Sequence, residues 1–334
     1  MKKTVSFSRN SVNVFFHILT RCNLQCRHCY INPDQHGDAT VSVETAIAWL
    51  KRFHHPDKKS NLILLGGEPT LHPDLDRIVR AAREIGYASL TIDTNGYLFH
   101  DILDKVTPAE VDYFSFSLDG ATDGTNDRIR GRGSFERCTA GIRAAVEKGF
   151  AASLIYTVSR ENLHELTRMV PLLKQLGVSR FFIQVIGIRG RSARSGGDAL
   201  QLTRAEWEAH VPPVAREVAA AGITVTYPKV FLEAGDRFEC AGNVADNYFI
   251  FPNGRVYRCP LCEDFPLHSM TIDSAGALSP TGKINESDLF ALMIPEGCVI
   301  NKLVQAGNLA YTDDGSPAYR IACCLLKEEI PGAV

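Results

Sequence analysis

No stretch of this 334-residue chain reaches the ~20 consecutive apolar residues that a membrane-spanning helix needs. The nearest early run, residues 12–19, is interrupted by Asn13 and His17. Lys2 and Lys3 precede no uninterrupted apolar region of the kind that marks a signal peptide. Neither sign of charge dominates: 36 Lys and Arg face 38 Asp and Glu, a net charge of −2. That balance argues against bulk electrostatic binding to nucleic acid or to an anionic membrane. Low-complexity tracts and internal sequence repeats are absent. What remains is a soluble globular composition, 45% apolar and 22% charged, with a cytoplasmic location as the expectation.

One residue type is not scarce. The chain has ten cysteines, and in a reducing compartment disulfides explain such a number poorly. Their clustering points to metal or redox chemistry. Three lie at positions 22–29 and six between 240 and 324. Cys138 stands apart on the apolar face of a predicted helix and reads as a small core residue.

The first two-thirds of the chain alternates short apolar runs with amphipathic helices. Strands are predicted over 12–19, 62–65, 89–92, 113–117, 152–158 and 180–186, rich in Val, Ile, Leu, Phe and Tyr. Helical spacing follows in Leu75, Ile78, Ala82 and Ile85, in Phe135, Cys138, Ile142 and Val146, and in Trp207, Val211, Val214 and Val218. Thr203 and Glu206 make a capping box at the start of the last. Gly86, Gly149, Gly177 and Gly222 fall where helices should stop. Pro212 and Pro213 predict a kink or break inside the sixth helix. Six strand–helix units imply an α/β fold with a parallel sheet, either doubly wound or a partial (β/α)6 barrel of the TIM type. Ligands then bind at the carboxyl ends of the strands. The unusual residues fall there: the cysteine triplet, Gly66-Gly67-Glu68, Thr94-Asn95-Gly96, Ser117-Leu118-Asp119-Gly120 and an Arg/Gly-rich stretch after strand six. From residue 227 helical periodicity fades and Gly, Pro, Asn and Cys become frequent. The expected division is a core over 1–226 and a smaller, metal-stapled domain over 227–334.

Cys22, Cys26 and Cys29 sit in one strand-to-helix loop. Three close thiolates can hold three irons of a cubane and leave the fourth open, whereas structural zinc wants four ligands in a closed shell. The spacing C-x3-C-x2-C, His28 before the last cysteine, and Gly66-Gly67-Glu68-Pro69 one strand later together resemble the radical S-adenosylmethionine superfamily. The resemblance implies a [4Fe-4S] cluster on the triplet. S-adenosylmethionine would be chelated by the open iron, its amino group received by Gly66, Gly67 and Glu68, and His28 would pack near the adenine. Ser117 and Asp119 would meet the ribose, and the run beginning Ile186-Gly187 would line the adenine, though the proline usual there is missing. Asn95 belongs to a segment that reads equally well as a plain turn. The stretch 126–135, which includes Arg130, reads mainly as a polar loop leading into a Ser134 cap.

In the C-terminal region, Cys240-x13-Gly254-x4-Cys259 surrounds a predicted tight hairpin at Pro252-Asn253-Gly254. It resembles the opening of the SPASM and twitch domains of the same superfamily. The longer SPASM cysteine run does not follow, which favours a twitch-type domain with one auxiliary [4Fe-4S] cluster. Cys240 and Cys259 are its first ligand candidates. Cys298 and one of Cys323 and Cys324 are the preferred completion, with Cys262 as a rival, and a zinc ribbon is the simpler alternative.

By resemblance the activity is reductive cleavage of S-adenosylmethionine and hydrogen abstraction from a substrate C–H bond. The substrate would be a peptide or a small molecule, and flavodoxin or ferredoxin the reducing partner. A peptide maturase leads, although only eleven residues precede Val12, which weakens the case for a leader-binding domain. A small-molecule dehydrogenase or cofactor-building enzyme is the alternative, with a non-catalytic metal or electron-transfer protein further off. Arg189, Arg191 and Arg194 near the sixth strand suit a carboxylate or phosphate, or internal ion pairs.

Overall fold

The computed structural model describes residues 7–194, 200–233 and 236–333; Lys2 and Lys3 lie outside them. Seven parallel strands follow in order: β1 (Ser11–His17), β2 (Lys59–Leu65), β3 (Ser89–Thr94), β4 (Tyr113–Ser117), β5 (Ala152–Val158), β6 (Arg180–Val185) and β7 (Thr224–Pro228). Helices including Val43–Phe53, Leu75–Ile85, Ser134–Glu147 and Arg204–Ala220 separate them. The first six strands stand where the apolar runs predict them. The seventh, Thr-Val-Thr-Tyr-Pro, is buried throughout but too short and too close to a proline to stand out in the sequence.

Strand alternation divides the two faces. Val12, Val14 and Phe16 of β1 are buried in the main apolar core, where Phe16 meets Trp49 of Val43–Phe53 at a ring separation of 5.6 Å. Asn13, Phe15 and His17 alternate with them. Asn13 is part of a buried amide chain: its Nδ2 donates to Asn247 (2.9 Å), its Oδ1 accepts from Asn61 (3.0 Å), and Ser89 donates to Asn61 (2.8 Å). This chain satisfies polar groups that would each cost about 1–3 kcal/mol if buried alone.

The helix Arg204–Ala220 runs unbroken through Pro212 and Pro213, contrary to the predicted break. Each proline forfeits a helical hydrogen bond. The buried face of Trp207, Val211, Val214, Ala215 and Val218 and the Thr203–Glu206 capping box compensate. Gly86, Gly149, Gly177 and Gly222 all have positive φ, as helix-ending positions should.

The C-terminal third adds β8 (Phe231–Leu232), β9 (Asp246–Ile250), β10 (Arg255–Tyr257), β11 (Met270–Ile272), β12 (Leu278–Pro280), β13 (Arg320–Ile321) and β14 (Lys327–Ile330). The predicted hairpin is β9–β10, with Val256 opposite Ile250. It extends the main sheet, because β9 runs parallel to β1, with Val12 opposite Asp246. At the other edge β14 pairs antiparallel with β7, Lys327 opposite Pro228. The sheet of twelve strands therefore receives C-terminal strands on both sides of the parallel core. Among the described residues no helix is long and apolar enough to cross a membrane.

Candidate functional site

A cavity of about 560 Å³ is enclosed by these strands. Side chains from β1 to β7 reach it, as do Phe249 of β9 and Lys327 and Glu329 of β14. Cys22, Cys26 and Cys29 line it at the carboxyl end of β1.

The cysteine loop is fixed at both ends by glycines that only a missing Cβ allows. A Cβ on Gly67 would stand 2.4 Å from the carbonyl oxygens of Thr20 and Arg21. The Gly67 and Glu68 amides donate to Leu19 O (3.0 Å) and Arg21 O (3.1 Å). A Cβ on Gly190 would lie 2.5 Å from Cys29 O, and the Arg191 amide donates to that same oxygen at 2.9 Å. Between these clamps the Arg27 amide donates to Ile129 O at 2.9 Å. Burial, with the nearby charge of Glu68 and the other two cysteines, pushes the Cys22 thiol up to about 12; burial also raises Cys26. Crowded thiols of this kind suit a metal centre, whose charge favours the thiolate form.

Glu68 is fully buried. Its Oε1 accepts from Thr70 N (3.0 Å), Thr70 Oγ1 (2.6 Å) and Thr94 Oγ1 (2.8 Å), and its Oε2 from Asn95 N (2.7 Å). The carboxylate ties β2 to β3 and keeps one acceptor position on Oε2. Asn95 lines the cavity and donates from Nδ2 to Asn23 at 2.8 Å, next to Cys22. Gly66, Gly67, Glu68, Asn95, Ser117, His28 and Gly187 are thus gathered on one cavity with the triplet.

Two of the predicted cofactor-binding residues lie behind the cavity lining. Asp119 is fully buried and does not line the cavity. Its Oδ1 accepts from Thr157 N (2.7 Å), while Oδ2 faces Arg130 Nε (2.6 Å) and His28 Nε2 (3.1 Å). Burial pushes this carboxyl up, but Arg130 and His28 outweigh it and hold it at about 2. Asp119 therefore joins His28 and Arg130 behind the cavity lining. Ile186 is also buried behind the wall; Val185 and Gly187 line the cavity on either side of it. Its carbonyl accepts from Gln201 Nε2 at 3.4 Å.

Arg130, read from the sequence as part of a polar loop, lines the cavity with its guanidinium 3.9 Å from the Cys26 sulfur. Arg189 pairs internally with Glu263 (2.7 Å) and covers the Tyr30 ring at 4.7 Å. The side chain of Arg194 lies outside the described residues. Asp93 and Lys327 also line the cavity without having been foreseen. Asp93 carried a signal, as the one charge within an apolar strand, whereas Lys327 had none.

The C-terminal cysteines converge separately. Cys240, Cys259, Cys298, Cys323 and Cys324 line a small second cavity of about 30 Å³. Cys262 is buried beside Cys259 but does not line it. Glu286 secures the hairpin end by accepting the amides of Arg258 (2.6 Å), Cys259 (2.9 Å) and Ser269 (3.2 Å). Among the described residues no three His, Cys, Asp or Glu side chains close around a single point as a one-ion site requires. A cubane asks for less, since each of its irons takes its own thiolate. Leu261, Cys324 and Leu325 line both cavities and so form the partition between them.

A family model described as the Radical SAM superfamily matches residues 16–187, the span that carries the triplet, the Gly-Gly-Glu segment and β2 to β6. The chain belongs to the radical SAM superfamily. The family implies a [4Fe-4S] cluster and S-adenosylmethionine, and the cysteine-lined cavity provides thiolates and open space for both. Similar radical SAM proteins include the pre-heme d1 synthase of Dinoroseobacter shibae, 31% identical over 55% of this chain and 46% of its own length. A probable GTP 3′,8-cyclase of Saccharolobus islandicus is 31% identical over 48% of this chain and 53% of its own. The chain spans about half the length of these two relatives. In fold it is similar to anSMEcpe, solved with bound AdoMet and a Cp18Cys peptide, with a TM-score of 0.58. That match is 13% identical and covers 91% of this chain and 84% of the other.

Proposed function

We propose that this radical SAM enzyme holds its [4Fe-4S] cluster on Cys22, Cys26 and Cys29 and an auxiliary [4Fe-4S] cluster in a twitch-like region over 227–334. The observation that carries the reading is the partition. Cys324 lines both the cavity that contains the triplet and the small cavity walled by Cys240, Cys259, Cys298 and Cys323. A substrate in the barrel would then touch both centres. When bound, these cofactors supply reductive cleavage of S-adenosylmethionine, hydrogen abstraction from a substrate C–H bond, and either a substrate ligand or an electron sink.

The protein's share is placement. Gly66 and Gly67 let backbone approach the methionine amino group, and Oε2 of Glu68 offers it a remaining acceptor. Arg130, beside Cys26, presents a positive charge to the methionine carboxylate. His28 is held by Asp119, and its Nδ1 is buried without a hydrogen-bond partner among the described residues, so it would be available to the adenosine. Ser117 and Asn95 offer hydroxyl and amide groups on the same wall. The strands of the barrel exclude water from the reacting centre. An electron sink in the auxiliary site would make the net reaction an oxidation, with flavodoxin or ferredoxin as the reductant of the first cluster.

The substrate class proposed first is a peptide, as in the fold neighbour with a bound peptide. Cofactor-building or dehydrogenation of a small molecule is the second reading. It is favoured by an enclosed cavity of small-molecule size and by the two sequence relatives. The deciding experiment is anaerobic: reconstitute the protein, reduce it with dithionite, add S-adenosylmethionine, and measure 5′-deoxyadenosine and iron on one sample. Release of 5′-deoxyadenosine with about eight irons per chain supports two cubanes. A full iron load without 5′-deoxyadenosine would overturn the assignment of the cavity wall to S-adenosylmethionine, and about four irons would overturn the auxiliary cluster.

A further inference from the structure

The charges that face the large cavity can be paired off one by one. Arg130 is matched by Asp119 (2.6 Å), Arg180 by Glu329 (2.6 Å) and Arg189 by Glu263 (2.7 Å). The carboxylate of Glu68 is held by its four donors from β2 and β3. Two groups remain, Asp93 on β3 and Lys327 on β14. The Asp93 carboxyl is bonded to Ser115 and pushed up to about 7 by burial, so it carries only part of a charge at neutral pH. Lys327 makes no hydrogen bond or ion pair among the described residues. Its closest recorded partner is the ring of Phe182, 5.7 Å from Nζ. Asp93 and Cys324 stand near enough to favour its charged form, against a burial that disfavours it.

A half-buried ammonium with no hydrogen bond or ion pair among the described residues, and only the partial charge of Asp93 nearby, is incompletely repaid for its desolvation. A site of that kind is stabilised by a ligand that brings the missing charge. The C-terminal strand also has no other visible reason to turn a lysine inward, since β14 is an edge strand whose outer side offers water. We propose that Lys327 is the anchor for an anionic group, a carboxylate or a phosphate, on the substrate of this enzyme. The inference rests on the barrel cavity being the substrate chamber. It makes the strand that closes the sheet at β7 a specificity element: its lysine selects the substrate's charge, and its position three residues after Cys324 sets the anchored group beside the partition between the two cavities.

The test uses limited acetylation of the reconstituted holoprotein under argon, with each lysine quantified by peptide mass spectrometry. Inorganic phosphate and succinate are added separately at about 10 mM, roughly ten times the Kd of a millimolar site. Sodium chloride at equal ionic strength is the baseline. One of the two anions is expected to lower acetylation of Lys327 about tenfold, while the half-buried Lys58, ion-paired to Asp246, is unchanged. Protection by phosphate alone assigns a phosphorylated substrate, and protection by succinate alone a carboxylate. Equal protection by both supports the anion site without a preference between them. Protection no greater than that of sodium chloride, or a lysine that no reagent reaches, overturns the proposal. The labelling needs no reductant and no turnover, so its failure is separate from a failure to form 5′-deoxyadenosine.

Discussion

The two cysteine groups of this chain are built in opposite ways. The first occupies one loop of eight residues and depends on its neighbours only to be clamped in place. The second is brought together by a hairpin, whose Cys240-x13-Gly254-x4-Cys259 spacing is legible in the sequence, by a short helix start at Cys298 and by the turn before β14. Spacing within one loop names the whole first group, whereas in the second it singles out two cysteines and the fold brings the others to them. The energetic consequence differs too. The first group should survive damage to the C-terminal region better than the second survives damage to the barrel, because β9 and β14 both need the barrel strands as partners.

The sharpest test of this contrast is a pair of substitutions. Cys26→Ala should lower 5′-deoxyadenosine formation at least about a thousandfold, as loss of an essential group does. Cys259→Ala should retain cleavage within about tenfold while losing product and about four irons. Equal loss in the two variants would erase the distinction between the centres. A smaller effect is expected at the ion pair that supports the triplet. Arg130→Met leaves Asp119 charged and buried, and should cost about 3–5 kcal/mol in urea unfolding of the apoprotein. Arg204→Met, at exposed pairs with Glu208 and Glu233, should cost less than about 1 kcal/mol.

A further effect is on acid stability. Because Asp119 is held at about 2, below the ordinary range of an unfolded carboxyl, its charged form favours the native state. That contribution is complete above roughly pH 4 and is lost as pH falls through about 2. Stability of the apoprotein should therefore drop between those values, and the drop should be shallower in Asp119→Asn. An unchanged slope would mean that the ion pair does not persist in solution.

The barrel was legible because buried parallel strands and amphipathic helices leave different periods in the sequence. The chemistry-bearing residues at strand ends followed from that. The errors have separate physical causes. Asp119 is the right residue type at the right strand end, but the guanidinium of Arg130, at the end of the helix that follows, faces its carboxylate. Ile186 lies just past the end of β6, between the cavity-lining Val185 and Gly187, and is buried behind them. The breaking tendency of Pro212 and Pro213 yielded to packing of Trp207, Val211 and Val214. Arg130 looked like a solvated loop residue because Cys26 is distant in sequence and nothing local shows that the nearby Asp119 is buried. Lys327 was invisible for the same reason, since only the pairing of β14 with β7 places it in the cavity.

The parallel pairing of β1 with β9 also bears on how the chain is made. Asn13 bonds Asn247 across a sequence separation of 234. At about 5–20 residues per second, translation leaves one side of the first strand without its neighbour for on the order of tens of seconds. During that interval an edge next to the cysteine loop is open to other chains. A cell that makes this protein must cover that edge with a chaperone, or load iron and sulfur only after the ribosome has passed the hairpin.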